Sequence, residues 1–323
     1  MSDATSKSKQ KSIQFKTCND TPRKLLSIPP SPFLEKLGYG TGVNVWKLSH
    51  SPNSVKSPWA IKNVRKCVNK ELSDKYQSLL TKEANILRSL DHENIIGFRG
   101  YLKSEDGRNC LAMEVGGESL GDLLEKRFEN DLGPFPPDII IKVAYSIAKA
   151  LNYLHNEKNI LHGDIKPYNV VIKNNFEDIK LCDFGVSIKL NDENITEKYV
   201  GTPIYSAPEC IKGDKKTITE KSDIFSFGLI LWEMIALFPP HTEDLINKNE
   251  SALNSDDSLY THVSDSEIEE NYGTRPLLPP CELGSEYKYV LELFYACTEQ
   301  DPDKRPSASS IIDYINMINK TNT

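Results

Sequence analysis

The sequence LHGDIKPYN at residues 161–169 decides the fold, because three further short motifs follow it in a fixed order. CDFG occupies residues 182–185, GTP occupies 201–203 and APE occupies 207–209. Any one of these motifs could occur by chance. Four of them in this order, at fitting distances, form a strong and specific pattern with which the rest of the chain can be compared.

The order and spacing of the motifs resemble those of the eukaryotic protein kinases over residues 32–317. The resemblance implies an α+β fold of two lobes, a small and mainly β N-lobe (32–115) with one helix and a larger, mainly α C-lobe (116–317). It also implies a transferase that uses ATP and Mg²⁺ to move the γ-phosphoryl group onto hydroxyls of protein substrates.

The resemblance implies a role for each polar residue of the central motifs. Asp164 would orient the substrate hydroxyl or accept its proton, and Lys166 would neutralise the moving phosphoryl group. Asn169 and Asp183 would hold Mg²⁺. Thr202 would bond to Asp164 and Lys166, and the lysine and threonine together favour Ser/Thr acceptors over tyrosine. Phosphoryl transfer depends on positioning and charge more than on covalent chemistry, so these groups suffice.

A lysine lies in an apolar strand sequence, Trp59-Ala60-Ile61-Lys62. A lysine that points into a protein interior is strongly destabilising unless it is paired. Glu83 lies in an amphipathic helix predicted for residues 75–90, and in the kinase pattern this glutamate holds the strand lysine over the α/β-phosphates. A charge on the exposed face of the helix is the alternative interpretation of Glu83.

A glycine-rich segment between two predicted strands would fold over the nucleotide phosphates, because glycine lets backbone N–H groups approach the oxygens closely. Its residues are Gly38, Tyr39, Gly40, Thr41 and Gly42. Val43 occupies the third glycine position of the usual pattern. A plain β-hairpin is therefore the alternative.

The resemblance also implies an adenine site. An apolar strand that ends at the glycine pair of residues 116–117 looks like the hinge between the lobes, with Met113 as the gatekeeper side chain. Backbone groups around Glu114 and Val115 would bond to the adenine. The side chains that would enclose its ring are Val45, Ala60 and Val171.

One residue departs from the usual catalytic motif. Gly163 occupies the position of an arginine that normally binds the activation-loop phosphate through paired N–H groups. We therefore expect switching by loop phosphorylation to be weaker or differently arranged, with Thr196 and Tyr199 as candidate phosphosites. Gly163 and Val43 are also the features that favour the alternative function, a pseudokinase scaffold that binds nucleotide and partners without turnover.

A buried ion pair and a buried aspartate should support the catalytic loop and the segment after it. The kinase pattern pairs Glu209 with Arg305 and places Asp223 as a cap on the backbone of the catalytic loop. We also expect Leu87, His162 and Phe184 to stack as an internal column, which makes the histidine and phenylalanine structural residues.

A finer resemblance concerns the branch of the family. DFGVS at residues 183–187 and GGESL at 116–120 are similar to the MAP-kinase-kinase branch. Together with LGYGTGVNV at 37–45, the resemblance implies a serine/threonine-protein kinase linked to mitosis and MAP-kinase signalling. It implies MAP-kinase-type protein substrates and leaves dual specificity towards tyrosine open.

Bulk composition bounds the partners and the compartment. A formal net charge of −7 gives no general affinity for nucleic acid or anionic membranes, and the apolar runs fall short of a membrane span. The seven cysteines include no C-x-x-C pair, which favours reduced thiols. We expect a cytoplasmic or nuclear protein that binds neither nucleic acid nor membranes.

The segments outside the lobes are polar. Residues 1–31 should form a disordered regulatory tail in which Thr21 is a candidate target of an upstream proline-directed kinase, and an inert solvated tail is the alternative. The acidic residues 243–270 resemble a solvated insertion, which is either a docking site for a basic partner or a plain loop. The tail 318–323 ends at Thr323, which lacks the apolar terminal side chain that a PDZ groove needs, so we do not expect PDZ binding.

Overall fold

The computed structural model describes the residues in twelve ranges, namely 13–17, 26–28, 34–40, 43–48, 58–65, 70–103, 108–193, 195, 199–211, 218–242, 271–280 and 282–321. The chain divides into two compact units. Unit 1 comprises Met1–Asp91 and Ile96–Val115, and unit 2 comprises His92–Ile95 and Gly116–Thr323. Strands dominate the described part of unit 1 and helices dominate that of unit 2, which confirms the predicted α+β class.

Unit 1 is built on an antiparallel sheet. Among the described residues its strands are β1 (Ile13–Thr17), β2 (Leu26–Ile28), β3 (Leu34–Gly40), β4 (Val43–Leu48), β5 (Trp59–Val64), β6 (Phe98–Lys103) and β7 (Asn109–Glu114). Their order across the sheet is β2-β1-β6-β7-β5-β4-β3. The sheet places β5 between β4 and β7, so that a side chain on β5 has a neighbouring strand on both sides.

One long helix, α1 (Lys70–Arg88), accompanies the sheet of unit 1. Its buried residues Leu80, Ala84 and Leu87 recur at helical spacing, which gives the helix one apolar face. The helix begins before residue 75, the predicted start. Its first turns are polar and carry no apolar period, but an acidic residue there, Glu71, is favourable at a helix N-terminus.

The two described segments of the N-terminal tail, β1 and β2, differ from expectation. We predicted disorder over residues 1–31, whereas β1 pairs with β6 through Lys16 opposite Lys103 and Thr17 opposite Leu102, and β2 pairs with β1. The sequence of β1, IQFKT, alternates apolar and polar residues as strands do. The polar composition of the whole tail concealed this short alternation.

Unit 2 contains most of the helices. Among its described residues these are α2 (Leu120–Glu129), α3 (Pro137–Asn152), α4 (Pro208–Ile211), α5 (Lys221–Ala236), α6 (Lys288–Cys297) and α7 (Ala308–Thr321). Its short strands are β8 (Glu118–Ser119), β9 (Ile160–Leu161), β10 (Val170–Lys173), β11 (Asp178–Leu181) and β12 (Ile188–Lys189). They form two small sheets, β11-β10-β8 and β12-β9.

The centre of unit 2 is α5, whose residues are buried on every side. Most of its residues are apolar, and a helix that is apolar on all sides lies in a protein core. No helix within the described ranges is long and apolar enough to cross a membrane.

The apolar residues between 139 and 155 recur at helical spacing and predict one continuous helix, whereas the structure divides this segment in two. Regular helix runs from Pro137, where proline suits the first turn, to Asn152. A π-helical turn, Tyr153–Glu157, follows, and the backbone N–H of Lys158 donates to the carbonyl of Tyr153 at 3.2 Å. This wider turn carries His155 towards the catalytic loop described below.

A four-residue strip, His92–Ile95, belongs to unit 2 although both of its flanks belong to unit 1. The Asn94 side-chain amide donates to the carbonyl of Ile179 at 2.9 Å, and the backbone N–H of Leu181 donates to the carbonyl of Asn94 at 2.9 Å. Ile95 forms a parallel bridge with Leu181. The strip therefore completes the hydrogen bonding of β11.

Candidate active site

The predicted lysine–glutamate pair is present in unit 1. Lys62 Nζ on β5 lies 2.9 Å from Glu83 Oε2 and 3.1 Å from Glu83 Oε1 on α1. Lys62 is only 6% exposed and Glu83 only 2%. The alternative of an exposed helix charge is therefore wrong, and the pair compensates the cost of burying either charge alone.

The glycine-rich segment is described only in part. Gly38, Tyr39 and Gly40 lie on β3 and pair with β4, which is the strand that also pairs with β5. Thr41 and Gly42 lie outside the described residues. The described residues thus form two paired antiparallel strands, and the role of the glycine-rich segment in binding phosphates stays a prediction.

The residues predicted to contact adenine are distributed over both units. On the sheet of unit 1, Val45 lies opposite Lys62, and Ala60 lies opposite Met113. Ala60 and Met113 are buried and Val45 is half-buried. Val171 lies on β10 of unit 2. The predicted enclosure of the ring stays a prediction.

Part of the predicted hinge forms hydrogen bonds within unit 1. The backbone N–H of Glu114 donates to the carbonyl of Gly97 at 2.8 Å, and the Glu114 carboxylate accepts the N–H of Gly97 at 3.2 Å. Val115 is buried. The backbone and the side chain of Glu114 therefore both bond to Gly97, and the Glu114 N–H already has a partner within unit 1.

In unit 2, Asp223 holds the backbone of the catalytic loop. Its carboxylate accepts the N–H of His162 at 2.8 Å and that of Gly163 at 2.9 Å, and His155 Nε2 lies 2.8 Å away. Burial opposes ionisation of Asp223, but the hydrogen bonds from His155 and Gly163 outweigh it and hold the pKa of this carboxyl below its usual range. The predicted cap on the loop is thus present.

Asp164, Lys166 and Thr202 form one hydrogen-bonded cluster in unit 2. Lys166 Nζ lies 2.8 Å from Asp164 Oδ2 and donates to Thr202 Oγ1 at 2.8 Å. The Thr202 hydroxyl and backbone N–H both donate to Asp164 Oδ1, at 2.5 and 3.2 Å. The remote Thr202 thereby fixes one oxygen of Asp164, while the lysine lies at the other.

Asn169 is bonded to this cluster, and its backbone is bonded to the residue that precedes Asp183. The side-chain amide of Asn169 donates to the Asp164 carbonyl at 2.7 Å and to Asp164 Oδ2 at 2.9 Å. The N–H of Cys182, the residue before Asp183, donates to the Asn169 carbonyl at 2.9 Å. Asp183 itself has φ +63°, a left-handed conformation that few non-glycine residues adopt.

These two residues fit a magnesium ion. With its amide nitrogen directed at Asp164, Asn169 presents an amide oxygen, and Asp183 presents a carboxylate, which are the hard oxygen ligands that Mg²⁺ prefers. No group of three or more His, Cys, Asp or Glu side chains in the described ranges is arranged to hold a metal. A site of this kind relies on substrate phosphates for its remaining ligands.

Two rings pack beneath the catalytic loop. His162 and Phe184 are fully buried, and their ring centroids are 5.0 Å apart. His162 Nε2 lies 3.2 Å from the carbonyl of Cys182. Both rings therefore have a structural role, as predicted. The third member of the predicted column, Leu87, is buried in unit 1, and the column as a whole stays a prediction.

The predicted pair of Glu209 and Arg305 is also present. The guanidinium donates two hydrogen bonds to the carboxylate, Nη1 to Oε1 at 2.7 Å and Nη2 to Oε2 at 2.9 Å. Both side chains are buried. This fork-to-fork geometry fixes the end of the APE motif to the segment before α7.

Sequence reasoning missed two contacts of the site. Tyr168, between the catalytic loop's proline and Asn169, donates its hydroxyl to Glu125, and a Cβ on Gly121 would lie 2.6 Å from the Tyr168 ring. Ser206 donates to the carbonyl of Thr202 at 2.9 Å. The only sequence signal for the first contact is a glycine within α2, and the second has none.

The two candidate phosphosites differ in what the structure shows. Thr196 lies outside the described residues. Tyr199 donates its hydroxyl to Ser206 at 3.3 Å. Burial raises the pKa of this hydroxyl well above its usual value, so it is neutral and engaged within the segment.

Unit 1 holds a buried lysine–glutamate pair, and unit 2 holds a hydrogen-bonded Asp–Lys–Thr cluster. Both features are typical of one class of phosphotransferase. The chain belongs to the family described as "Protein kinase domain", whose model matches residues 32–315. The predicted family is thus confirmed. ATP is the phosphoryl donor of this family, and proteins are its substrates.

Individual relatives give a finer comparison. The chain is 47% identical over 298 residues to the human "Lymphokine-activated killer T-cell-originated protein kinase", covering 89% of this chain and 90% of the relative. It is 31% identical over 283 residues to a mitogen-activated protein kinase kinase of Pyricularia oryzae, of which it spans 62%. It is 29% identical over 284 residues to a probable serine/threonine-protein kinase of Dictyostelium discoideum, of which it spans 27%.

Proposed function

We propose that this protein is an active, Mg²⁺-dependent serine/threonine-protein kinase of the MAP-kinase-kinase type. The observation that carries the proposal is the cluster of Asp164, Lys166 and Thr202, in which three polar groups hold one another within 2.5 to 2.8 Å. A scaffold that only binds nucleotide has no need of such a cluster.

The cluster has the groups that the reaction needs. Asp164 is a carboxylate positioned to orient the hydroxyl of a substrate and to accept its proton. Lys166 brings a positive charge next to Asp164 Oδ2, where it can neutralise the phosphoryl group as it moves to that hydroxyl. Thr202 joins both, so that the carboxylate and the ammonium keep their relative positions without reorganisation during the reaction.

The metal has a defined place in this proposal. When bound, Mg²⁺ would offset the negative charge of the phosphate oxygens. Asn169 and Asp183 would hold it. In addition, Asn169 binds Asp164 through its amide nitrogen, so the same side chain would connect the ion to the residue that orients the hydroxyl.

The lysine–threonine pair supports serine and threonine as acceptors, and this is the specificity we propose. Dual specificity towards tyrosine is the competing possibility, and phosphoamino-acid analysis distinguishes the two. The motifs at residues 183–187 and 116–120, and a relative named as a mitogen-activated protein kinase kinase, support MAP-kinase-type substrates.

The setting in the cell is part of the same proposal. The reduced-thiol composition supports a cytoplasmic or nuclear location, and the finer resemblance supports a link to mitosis. Thr21 as the target of an upstream proline-directed kinase lies outside the described residues, as do the acidic segment 243–270 and Thr323. Regulation through these segments remains a proposal from sequence.

The decisive experiment compares the wild-type protein with Asp164→Ala and with a matched control, Asp138→Ala, which removes an exposed aspartate from the start of α3. Transfer of labelled phosphate from ATP to a catalytically inactive MAP kinase and to a generic basic protein is measured. We expect Asp164→Ala to lower turnover by about 10²–10⁴-fold and the control to be unchanged. Equal transfer by wild type and Asp164→Ala would instead favour the scaffold.

The metal assignment has a test that does not depend on turnover. ATP should raise the melting temperature of the wild-type protein more in the presence of Mg²⁺ than in EDTA. Asp183→Asn should remove this magnesium-dependent increment. If the increment persisted in Asp183→Asn, the assignment of Asp183 as a ligand would be wrong.

A further inference from the structure

Two glycines bring the activation segment against the catalytic loop. A Cβ on Gly201 would lie 2.8 Å from the carbonyl oxygen of Gly163 and 2.4 Å from the hydroxyl oxygen of Tyr199. A Cβ on Gly163 would lie 4.0 Å from Cε2 of Tyr199. The Tyr199 ring therefore lies beside the position from which an arginine side chain would project in most kinases of this pattern.

The hydroxyl of Tyr199 starts a chain of hydrogen bonds that ends at the catalytic cluster. It donates to Ser206 Oγ at 3.3 Å, and Ser206 Oγ donates to the carbonyl of Thr202 at 2.9 Å. Ser206 is 2% exposed, so water does not compete freely for these groups. Thr202 in turn donates its N–H and its hydroxyl to Asp164.

We propose that Tyr199 is a positioning residue that holds Thr202, and through it Asp164, in the substrate-ready arrangement, and that this tether acts without a phosphate on the activation segment. The proposal rests on the proposed function in one respect, the role of the cluster formed by Asp164, Lys166 and Thr202. We refer to Tyr199, Ser206 and Thr202 as the tyrosine tether.

The physical reason is that the tether is neutral. A phosphate on the activation segment is normally held by the arginine whose place Gly163 takes here, and it needs that positive charge. The tyrosine tether uses ring packing against two glycines and uncharged hydrogen bonds instead. Since burial keeps the Tyr199 hydroxyl protonated, it remains a donor throughout the physiological pH range.

The neighbours of Tyr199 are consistent with a tether of this kind. Its hydroxyl also interacts with the thiol of Cys210, whose pKa is raised by burial to about 11, so the thiol too is neutral. The adjacent Tyr205 donates its hydroxyl to Glu233 at 2.8 Å and fixes the following turn to α5. Side-chain contacts thus hold the chain at Tyr205, immediately before Ser206, and at Cys210, shortly after it.

The test separates the hydroxyl from the ring. Tyr199→Phe keeps the ring and removes only the hydroxyl, and Ser206→Ala removes the middle of the chain. We expect each to lower kcat by about tenfold, because a buried acceptor loses its donor, while the KM for ATP changes by less than about twofold. Tyr145→Phe, on α3, is the matched control and should leave kcat unchanged.

The double variant Tyr199→Phe with Ser206→Ala decides whether the two hydroxyls act together. If they belong to one tether, it loses no more than about twofold beyond either single variant, whereas independent effects would multiply to about a hundredfold. Multiplied losses, or a Tyr199→Phe variant with wild-type kcat, would overturn the proposal. Wild-type activity that appears only when the activation segment carries a phosphate, as checked by mass spectrometry, would overturn the claim that the tether acts without such a phosphate.

A measurement without turnover keeps the tether separate from the proposed function. Hydrogen exchange of the Thr202 amide, which donates to Asp164, should be faster by about tenfold in Tyr199→Phe than in the wild type. If the wild type transfers no phosphate but exchange still responds, the proposed function fails and the tether stands. If exchange is unchanged, the tether fails irrespective of activity.

Discussion

Replacing Arg305 by methionine should destabilise unit 2 severely. Arg305 is 1% exposed, and its guanidinium donates two bonds to Glu209 and one, through Nε at 2.7 Å, to the carbonyl of Glu299. Without it, the Glu209 carboxylate stays buried and, among the hydrogen bonds of the described residues, keeps that from the hydroxyl of Ser222, at 2.8 Å. An uncompensated buried charge of this kind costs about 3–5 kcal/mol of unfolding free energy.

This magnitude converts to a large change in melting temperature. For a unit of this size, about 2–4 °C per kcal/mol gives a decrease of roughly 6–20 °C, measurable by differential scanning calorimetry. Lys288→Met is the matched control, because it removes a basic residue whose side chain is 66% exposed and 3.9 Å from its partner Glu292. An exposed pair contributes only about 0–1 kcal/mol.

A double variant isolates the destabilising effect of the unpaired Glu209 charge. Glu209→Gln with Arg305→Met removes both ions, so it should be more stable than Arg305→Met alone. A decrease of less than about 2 °C for Arg305→Met would refute the reasoning, because it would mean that Glu209 finds water or another cation without cost. A double variant that is less stable than Arg305→Met alone would refute the reasoning as well.

Three further predictions concern catalysis and pH. Lys62→Met should lower phosphoryl transfer at least about a hundredfold in steady-state assays, because Glu83 loses its partner and the phosphates lose a cation, whereas the exposed Lys103→Met should not. Burial raises the pKa of Glu233 from an ordinary 4.5 to about 8, so the folded state holds this proton more tightly than the unfolded state does. The free energy of unfolding therefore falls as pH rises from about 4.5 to about 8. Glu233→Gln should remove that slope in melting temperatures taken at intervals from pH 5 to pH 8, and an unchanged slope would contradict the assignment. Thr196→Ala should cost less than about tenfold in turnover, since Gly163 cannot bind a loop phosphate, and a hundredfold loss would show that another cation does so.

The sequence was most informative where a charge had to be buried. Lys62 in an apolar strand needs a partner, and the motif pattern names Glu83. The kinase pattern also pairs Glu209 with Arg305. Each prediction joins residues that are far apart in the chain, yet each is present in the structure, because the energetic cost of a lone buried ion leaves few other arrangements.

Hydrogen bonds among neutral groups were not predictable in this way. Nothing in the order of residues indicates that Ser206 binds the carbonyl of Thr202, or that Tyr168 reaches Glu125. A serine or tyrosine hydroxyl can find a partner in water or in any nearby carbonyl, so its choice follows from the folded backbone and not from its own chemistry.

Element boundaries failed for a related reason. Hydrophobic period locates the middle of α1 and α3 but not their ends, where polar residues, a proline and a π-helical turn decide the limits. Short strands such as β1 carry too few residues for a period to stand out against a polar tail. Outside the described residues the predictions for 243–270 and for Thr196 stay as they were made.

The strip His92–Ile95 has a practical consequence for anyone who wishes to produce the helical unit as a separate fragment. A fragment that starts at Gly116 would omit the strip and leave the backbone carbonyl of Ile179 and the N–H of Leu181 without their partners on Asn94. An uncovered strand edge of that kind invites pairing with other molecules. A soluble fragment would therefore have to carry a grafted copy of those four residues, because no single cut in the chain separates the two units.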